Sequence, residues 1–185
     1  MSGAGQTGPA TILIDGPSGS GKSSFAAAVQ AAWPVTEQAP QLLPVDALCR
    51  GWDGLVEASE LLVDDVLAPR RQGRPAVWRR WDWVADELAE ENTVEPSLPL
   101  LVEGCGALTR RSAPLAEARI WIEAPFALRR SLGLERDGDE FAPYWDRWDA
   151  QWRELQGREN GRRWADLVLT LDDEGHLTHE RVPRR

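Results

Sequence analysis

The chain has 185 residues, which is enough for one α/β domain with a full hydrophobic core and too few for two ordinary domains. Its 30 acidic and 21 basic residues give a formal net charge of -9, which argues against nucleic acid or an anionic membrane surface as a partner. Two cysteines, Cys49 and Cys105, no long apolar run and no signal-peptide pattern predict a cytoplasmic protein with reduced, structural thiols.

The start of the chain predicts a strand, a glycine-rich loop and a helix in succession. Residues 1–9 are small and polar, and we expect them to form a flexible tail. Residues 11–15 (TILID) are a β-branched apolar run typical of a strand, and residues 23–33 are typical of a helix. Between them lies GPSGSGKS, a complete G-x-x-x-x-G-K-[ST] phosphate-binding motif. A chance match to this motif seldom brings the flanking strand and helix with it.

The motif predicts binding of a nucleoside triphosphate. Its glycines allow successive backbone N–H groups to turn inward and meet the phosphates together with the N-terminus of the helix. Lys22, the only lysine of the sequence, would neutralise phosphate charge, and the Ser23 hydroxyl would be a ligand of Mg²⁺. The predicted nucleotide-binding residues are Gly16, Pro17, Ser18, Gly19, Ser20, Gly21, Lys22, Ser23 and Ser24.

Four further apolar runs predict strands. These runs are residues 41–45, 98–102, 120–122 and 167–169. The first ends at Asp46, and its Pro44 favours a place at the edge of the sheet. The second is the most apolar and ends at Glu103, as a buried parallel strand would before a loop.

Three helices are predicted between these strands. Residues 54–68 carry apolar side chains at helical spacing, and Pro69 should end that helix. Residues 126–134 are helical in pattern and are followed by a break at 136–139. A long helix is predicted over residues 141–158. Three tryptophans share one face of this last helix: Trp145, Trp148 and Trp152.

Strands that alternate with helices predict an α/β fold with a doubly wound, five-stranded parallel sheet, in a single domain over 1–185. Ligands of such sheets bind outside the carboxyl ends of the strands, where Asp46 and Glu103 are expected. Asp46 could accept the proton of an attacking hydroxyl, and the alternative is that it only caps a helix or turn. Glu103 could support Mg²⁺ through water, and the alternative is a plain charge at a strand end.

Arginines in the segment 125–140 are candidates for stabilising a transferring phosphoryl group. Arg129, Arg130 and Arg136 stand on and after the predicted helix, and the glycine-containing break beside them suits a mobile lid. The alternative is a solvated, charged helix face. A GTPase of the usual kind is excluded, because its N-K-x-D guanine reader would need a second lysine.

Over nearly its whole length the sequence resembles the uridine kinase and phosphoribulokinase-like branch of the P-loop kinases, and within it a set of actinobacterial ATP-binding proteins described as uridine-kinase-like. The matching motifs are GPSGSGKSS at 16–24, Asp46 within VDALCRGWDGL, WRRWDW at 78–83, LLVEG at 100–104, R-x6-RDG at 129–138, YWDRW at 144–148 and ADLVL at 165–169. The first motif is specific by itself, and each of the others is weak alone.

The resemblance implies ATP and Mg²⁺ as cofactors and Asp46 as the catalytic base. It also implies that Asp53, which follows Trp52, holds ribose hydroxyls. The aromatic wall of a nucleoside pocket would then be formed by Trp81, Asp82 and Trp83. The sequence departs from the family at Cys49 and Asp86, where uridine kinases carry a tyrosine and a histidine, and at Leu132, where the lid usually has an arginine.

The leading hypothesis is therefore ATP-dependent phosphoryl transfer to a hydroxyl of a small molecule, in which Lys22, Asp46, Arg129 and Arg136 are catalytic. A nucleoside such as uridine or cytidine is the first candidate acceptor. The alternatives are a nucleotide, sugar or other metabolite kinase, or an ATP-binding module without transfer activity. A homo-oligomer is compatible with the sequence, which leaves open the choice between ATP and GTP.

Overall fold

The computed structural model describes residues 8–174 and 176–182. Of the predicted tail over 1–9, residues 1–7 lie outside the described residues. The strands are β1 (Thr11–Asp15), β2 (Gln41–Pro44), β3 (Ala76–Asp82), β4 (Glu87–Val94), β5 (Leu100–Glu103), β6 (Ala118–Glu123), β7 (Leu167–Leu171) and β8 (Leu177–Arg181). The helices are α1 (Lys22–Ala31), α2 (Leu55–Leu61), α3 (Ala68–Arg71), α4 (Phe126–Phe141) and α5 (Trp145–Glu159).

The central sheet has the strand order β2-β5-β1-β6-β7-β8. Its first five strands are parallel, and they are the five that the sequence predicts. β2 lies at an edge of the sheet. Proline has no backbone N–H, and at an edge strand this does not remove a hydrogen bond from the interior of the sheet. The pairing register sets both Ile14 and Pro44 beside Glu103, so the carboxyl ends of β1, β2 and β5 meet at one edge of the sheet.

Successive residues of β1 face opposite sides of the sheet, and both sides are covered. Leu13 belongs to the larger core, which β5 and helices α2 and α5 help to form. Ile14 belongs to a smaller core with Ala26 of α1 and Ile122 of β6. The α/β, doubly wound fold class is thereby confirmed.

The helix predicted over 54–68 does not end before Pro69. α2 passes through a π-helical turn, Leu62–Leu67, into α3, which contains Pro69 and continues to Arg71. A π-turn displaces the regular hydrogen-bond ladder, so a residue without an N–H group is accommodated directly after it. The predicted helix end was therefore wrong, while the helix itself is confirmed.

Two features of the sheets were not predicted. β3 and β4 pair as an antiparallel hairpin in a separate two-stranded sheet. The hairpin contacts the 3-10 segment Val45–Leu48 and the π-helical turn. β8 adds an antiparallel strand beside β7, and all of its side chains are exposed.

The lid region 125–140 contains a longer helix than predicted. α4 continues past Leu134 to Phe141, and its backbone leaves helical geometry at Gly138, where φ is 61° and ψ is -146°. The predicted break is thus a single glycine. On α5, Trp145 and Trp148 are buried and Trp152 is partly buried against the same core, which confirms their common face. No helix within 8–174 or 176–182 has both the length and the apolar character needed to cross a bilayer.

A buried cation joins the end of a helical stretch to the start of β1 and to the residue after β4. Arg70 is 7% exposed and lies at the end of the helical stretch that begins with α2. Its Nε donates to Thr11 Oγ1 at 3.0 Å, and its two terminal nitrogens donate to the carbonyls of Glu95 at 2.8 Å and Pro9 at 2.9 Å. The guanidinium therefore satisfies backbone acceptors that no apolar side chain could reach.

We expect Arg70→Met to lower the free energy of unfolding by about 2–4 kcal/mol, because buried acceptors lose their charged donor. Arg71→Met is the matched control, since Arg71 is exposed and its pair with Glu117 should contribute less than about 1 kcal/mol. Urea unfolding of both variants measures the difference. Equal losses in the two variants would contradict a structural role for the Arg70 network.

Candidate functional site

A cavity of about 890 Å³ opens at the carboxyl ends of β1, β2 and β5. The glycine-rich loop and the start of α1 line it with Ser18, Gly19, Gly21, Lys22 and Ser23. Apolar and aromatic side chains also line it: Trp52, Trp83, Val84, Phe141, Tyr144 and Trp148. The carboxylates of Asp46 and Glu103 and the guanidinium of Arg136 also line the cavity.

The glycine-rich loop joins β1 to α1, as the motif requires. Gly16, Gly19 and Gly21 have φ values of 150°, 76° and 89°. A Cβ atom at Gly16 would lie 1.9 Å from the Ile122 carbonyl oxygen, and one at Gly19 would lie 2.0 Å from that of Arg129. At these two positions glycine is therefore required both by backbone geometry and by the close approach of a neighbouring main chain.

Lys22 is held within the loop region by neutral acceptors. Its Nζ donates to the Pro17 carbonyl at 2.8 Å and lies 3.7 Å from Cys105 Sγ. The Cys105 thiol in turn donates to the Gly16 carbonyl at 3.4 Å. Burial raises the pKa of the Cys105 thiol, which keeps it uncharged beside the ammonium.

The two residues predicted to support Mg²⁺ lie side by side. Ser23 Oγ donates to Glu103 Oε1 at 3.1 Å. Burial raises the pKa of the Glu103 carboxyl, and the Lys22 charge opposes that rise. Within the described part of the chain, no group of three or more His, Cys, Asp or Glu side chains is placed to hold a metal ion. A hydroxyl and one carboxylate do fit a Mg²⁺ that takes its remaining ligands from water and phosphate.

Sequence reasoning missed Asp15, which links the glycine-rich loop to the loop after β5. Its carboxylate accepts N–H groups from Gly16 at 2.6 Å, Gly106 at 3.1 Å and Leu108 at 2.8 Å. The side chain is fully buried, and this burial raises its pKa to about 6 although the N–H donors favour ionisation. The signal available in the sequence was its position, a carboxylate directly before the first glycine of the motif.

Arg129 lies behind the loop, and the residues that line the cavity in the described structure do not include it. It is 5% exposed and donates from Nη1 to the Ser18 carbonyl at 3.1 Å. Its guanidinium also lies 3.4 Å from Asp149 Oδ1 of α5, and Asp149 pairs with Arg153 at 2.7 Å. This geometry makes Arg129 a strut between α5 and the phosphate loop, whereas the sequence predicted a contact with the transferring phosphoryl group.

The other predicted catalytic residues reach the cavity. Asp46 is exposed in the 3-10 segment that follows β2, and its backbone carbonyl accepts the Trp83 indole N–H at 3.3 Å. Arg136 lies on α4 two residues before the Gly138 kink, and its positive charge opposes the rise in the pKa of Glu103. Arg130 is exposed on the same helix.

Only some of the predicted substrate residues line the cavity. Trp52 and Trp83 line the cavity, whereas Asp53, Trp81 and Asp82 are not among the lining residues of the described chain. Asp53 is paired with Arg147, whose Nε donates to it at 2.7 Å. Asp82 accepts the N–H groups of Val84 and Ala85, each at 3.0 Å, and so shapes the turn of the hairpin.

Three aromatic residues at the cavity were not assigned to the site from the sequence: Phe141, Tyr144 and Trp148. They follow the Gly138 kink, and Trp148 was predicted only as part of a helix face. Cys105, predicted to be a structural thiol, also lines the cavity and contacts Lys22. Cys49 is buried, and its thiol donates to the Val45 carbonyl at 3.6 Å.

The raised pKa of Asp15 predicts a particular pH dependence of stability. Between its ordinary value of 3.8 and its folded value of about 6, the native state binds more protons than the unfolded state, so stability falls as the pH rises. Relative to Asp15→Asn, the wild type should lose roughly 2–3 kcal/mol between about pH 4 and pH 6.5. Urea unfolding across this range measures it, and parallel pH profiles for the two proteins would contradict the assignment.

The strut geometry predicts that Arg129→Met weakens ATP binding about tenfold, because the loop loses a charged hydrogen bond at Ser18. Turnover at saturating ATP should change less than about threefold. Arg130→Met is the exposed control and should leave ATP affinity unchanged. Calorimetric titration with ATP and initial rates separate the two roles. Lost turnover with retained ATP affinity would instead indicate that Arg129 touches the transferring phosphoryl group.

No protein-family model matches this sequence, and no curated protein sequence matches it either. Solved structures do resemble it. A possible uridine kinase from Bacillus stearothermophilus aligns over 88% of this chain and 89% of its own, with 15% identity and a TM-score of 0.64. D-glycerate 3-kinase from Cryptococcus neoformans var. grubii aligns over 98% of this chain and 92% of its own, with 10% identity and a TM-score of 0.57. The chain therefore has the fold of P-loop kinases.

Proposed function

We propose that the protein transfers the terminal phosphoryl group of ATP to a hydroxyl of a small molecule. The observation that supports this best is the convergence on one cavity of the glycine-rich loop, the Ser23 and Glu103 pair, and the Asp46 carboxylate. A loop alone could bind ATP without transfer, but a separate carboxylate facing the same space also supplies a proton acceptor. The names of the two structural relatives, a possible uridine kinase and a D-glycerate 3-kinase, support the same reaction class.

The loop end of the cavity suits the phosphates of the donor. Gly21 has left-handed geometry at the N-terminus of α1, and the cavity is lined there by Gly21, Lys22 and Ser23. The N-terminus of a helix is a favourable place for phosphate, because its first N–H groups have no partner within the helix. The Lys22 ammonium adds a compact positive charge beside them. Ser23 and Glu103 would hold Mg²⁺, which neutralises charge that develops on the phosphate oxygens when it is bound.

Asp46 is placed to act on the acceptor. It is exposed to the cavity at the end of β2, beside the edge of the sheet at which the loop begins. In the proposed step the acceptor oxygen forms a bond to the terminal phosphorus, the bond from that phosphorus to ADP breaks, and the hydroxyl proton passes to Asp46. Positioning of these groups supplies most of the rate, since phosphoryl transfer needs little other covalent chemistry.

Arg136, in the lid region 125–140, lines the same cavity. It stands close to the Gly138 kink, so a change at this one glycine would move the guanidinium relative to the loop. We assign it to the phosphoryl group in transfer, where a fixed positive charge stabilises the developing negative charge. A nucleoside remains our first candidate for the acceptor, because Trp52 and Trp83 offer aromatic surface in the same cavity.

The test is Asp46→Asn, which keeps the shape of the side chain and removes its proton-accepting capacity. We expect kcat to fall by about 10²–10⁴ while the dissociation constant for ATP changes less than about threefold. Coupled detection of ADP and calorimetric titration with ATP give the two quantities.

Glu60→Gln is the matched control, because it removes one carboxylate from an exposed position on α2 and should leave both quantities unchanged. Equal losses of turnover and ATP affinity in Asp46→Asn would remove Asp46 as the base. Tight ATP binding by a wild-type protein that phosphorylates none of a broad panel of alcohols would favour the ATP-binding module.

A further inference from the structure

We propose that Asp149 is a positioning residue for ATP, which acts through Arg129 to fix the shape of the phosphate loop. Asp149 lies on α5 and is not among the residues of the described chain that line the cavity. The proposal rests on the part of the proposed function that places the phosphates of ATP at the loop. It adds to that site a residue from outside the cavity.

The side chain of Arg129 fixes one peptide unit of the loop. Its Nη1 donates to the Ser18 carbonyl at 3.1 Å. That carbonyl and the N–H group of Gly19 belong to the same planar peptide and point in opposite directions. The hydrogen bond therefore holds the Gly19 N–H group on the side of the peptide that faces away from the guanidinium. A reversed peptide would exchange the two groups, and a carbonyl repels phosphate where an N–H group binds it.

The backbone of Arg129 is fixed against the same loop. A Cβ atom at Gly19 would lie only 2.0 Å from the Arg129 carbonyl oxygen, so α4 and the loop are in direct main-chain contact. The guanidinium is therefore the part of Arg129 whose position depends on its side-chain partners.

Asp149 is the carboxylate that pairs with this guanidinium. Its Oδ1 lies 3.5 Å from Nη1 and 3.4 Å from Nη2 of Arg129. Both side chains are buried, so solvent screens their attraction little. The other neighbours of the guanidinium are aromatic faces, with the ring centroids of Phe126 and Trp152 at 5.3 Å and 5.7 Å from its central carbon. These faces attract the cation and do not accept its N–H groups as a carboxylate does.

The Asp149 carboxylate is itself held in place from α5. Its Oδ2 accepts Arg153 Nη2 at 2.7 Å, one helical turn further along. The Arg153 side chain is 63% exposed, so water solvates its charge, whereas the Arg129 guanidinium has no such access. Loss of the carboxylate would consequently affect Arg129 more than Arg153.

The charge of Asp149 by itself would have the opposite effect on ATP. A carboxylate near bound ATP opposes the negative charge of the phosphates, so its removal would strengthen binding. If Asp149 holds the guanidinium at Ser18, its removal loosens Arg129 and weakens binding. The sign of the change therefore separates the two roles.

The first experiment is Asp149→Asn, which keeps the shape of the side chain and removes its charge. We expect the dissociation constant for ATP to rise about fivefold, because the buried guanidinium loses its charged partner. Calorimetric titration with ATP and Mg²⁺, without any acceptor, measures it. Asp146→Asn is the matched control, because Asp146 is exposed on the same helix, and it should bind ATP like the wild type. Unchanged or tighter binding by Asp149→Asn would overturn the proposal.

The second experiment removes both members of the pair. Replacement of a buried ion pair by apolar side chains is often neutral for stability, so this variant should fold even where a single change does not. We expect Arg129→Met/Asp149→Leu to bind ATP within about twofold of Arg129→Met, because Asp149 has nothing to position once the guanidinium is gone. Recovery of wild-type affinity would show that the pair only stabilises the fold. A further loss would show that Asp149 acts without Arg129, and either result would overturn the proposal.

Failure of the proposed function is visible separately. Wild-type protein that binds no ATP would refute both the function and the role of Asp149. ATP binding that follows the expected pattern, without phosphorylation of any alcohol, would support the role of Asp149 and refute the transfer. Far-ultraviolet circular dichroism and urea unfolding of each variant establish that the titrated protein is folded.

Discussion

The structure depends on the close approach of two main chains to the glycine-rich loop. The carbonyl oxygens of Ile122 and Arg129 occupy the space that a side chain at Gly16 or Gly19 would need. β6 and α4 therefore pack against the loop from two sides, and a side chain at either glycine would displace one of them. Asp15 closes a third side by accepting N–H groups from the loop and from the segment after β5. A nest of N–H groups held in this way needs little reorganisation to meet phosphate.

The elements that could be predicted from the sequence are those whose pattern lies within one short segment. The five parallel strands carry continuous apolar runs, since they are buried on both faces, and all five were predicted. The hairpin was missed because it alternates tryptophan with charge and turns without the usual Asn-Gly or Asp-Gly pair, with Asp86 at a φ of 55°. β8 was missed because every one of its side chains is exposed, so it has no alternation to detect.

The same distinction between local and long-range signals applies to the residues of the site. The loop residues, Asp46, Glu103 and Arg136 could be placed near one cavity because each follows a predicted strand or helix. The direction of a side chain on a helix depends on packing between distant elements, which spacing does not report. Arg129 turns towards Asp149, which is 20 positions away in sequence, and Asp53 turns towards Arg147, 94 positions away. Ring contacts of Trp52 with Trp83 and with Tyr144 likewise join the hairpin tip to the segment after Gly138, two regions that no local pattern connects.

The hydrogen-bond partners of Lys22 explain how its ammonium stays available for phosphate in a chain that carries many carboxylates. A lysine held by a buried carboxylate would have to give up a strong ion pair before it could bind phosphate. Here the hydrogen bonds of Nζ go to a carbonyl and to a thiol that burial keeps protonated. Both acceptors are neutral. When the Lys22 ammonium binds a phosphate oxygen, it therefore exchanges hydrogen bonds to neutral groups for a stronger one to a charged group. Glu103, whose carboxylate interacts with the Lys22 charge, accepts a hydrogen bond from Ser23, and burial raises its pKa, which further limits its competition for the lysine.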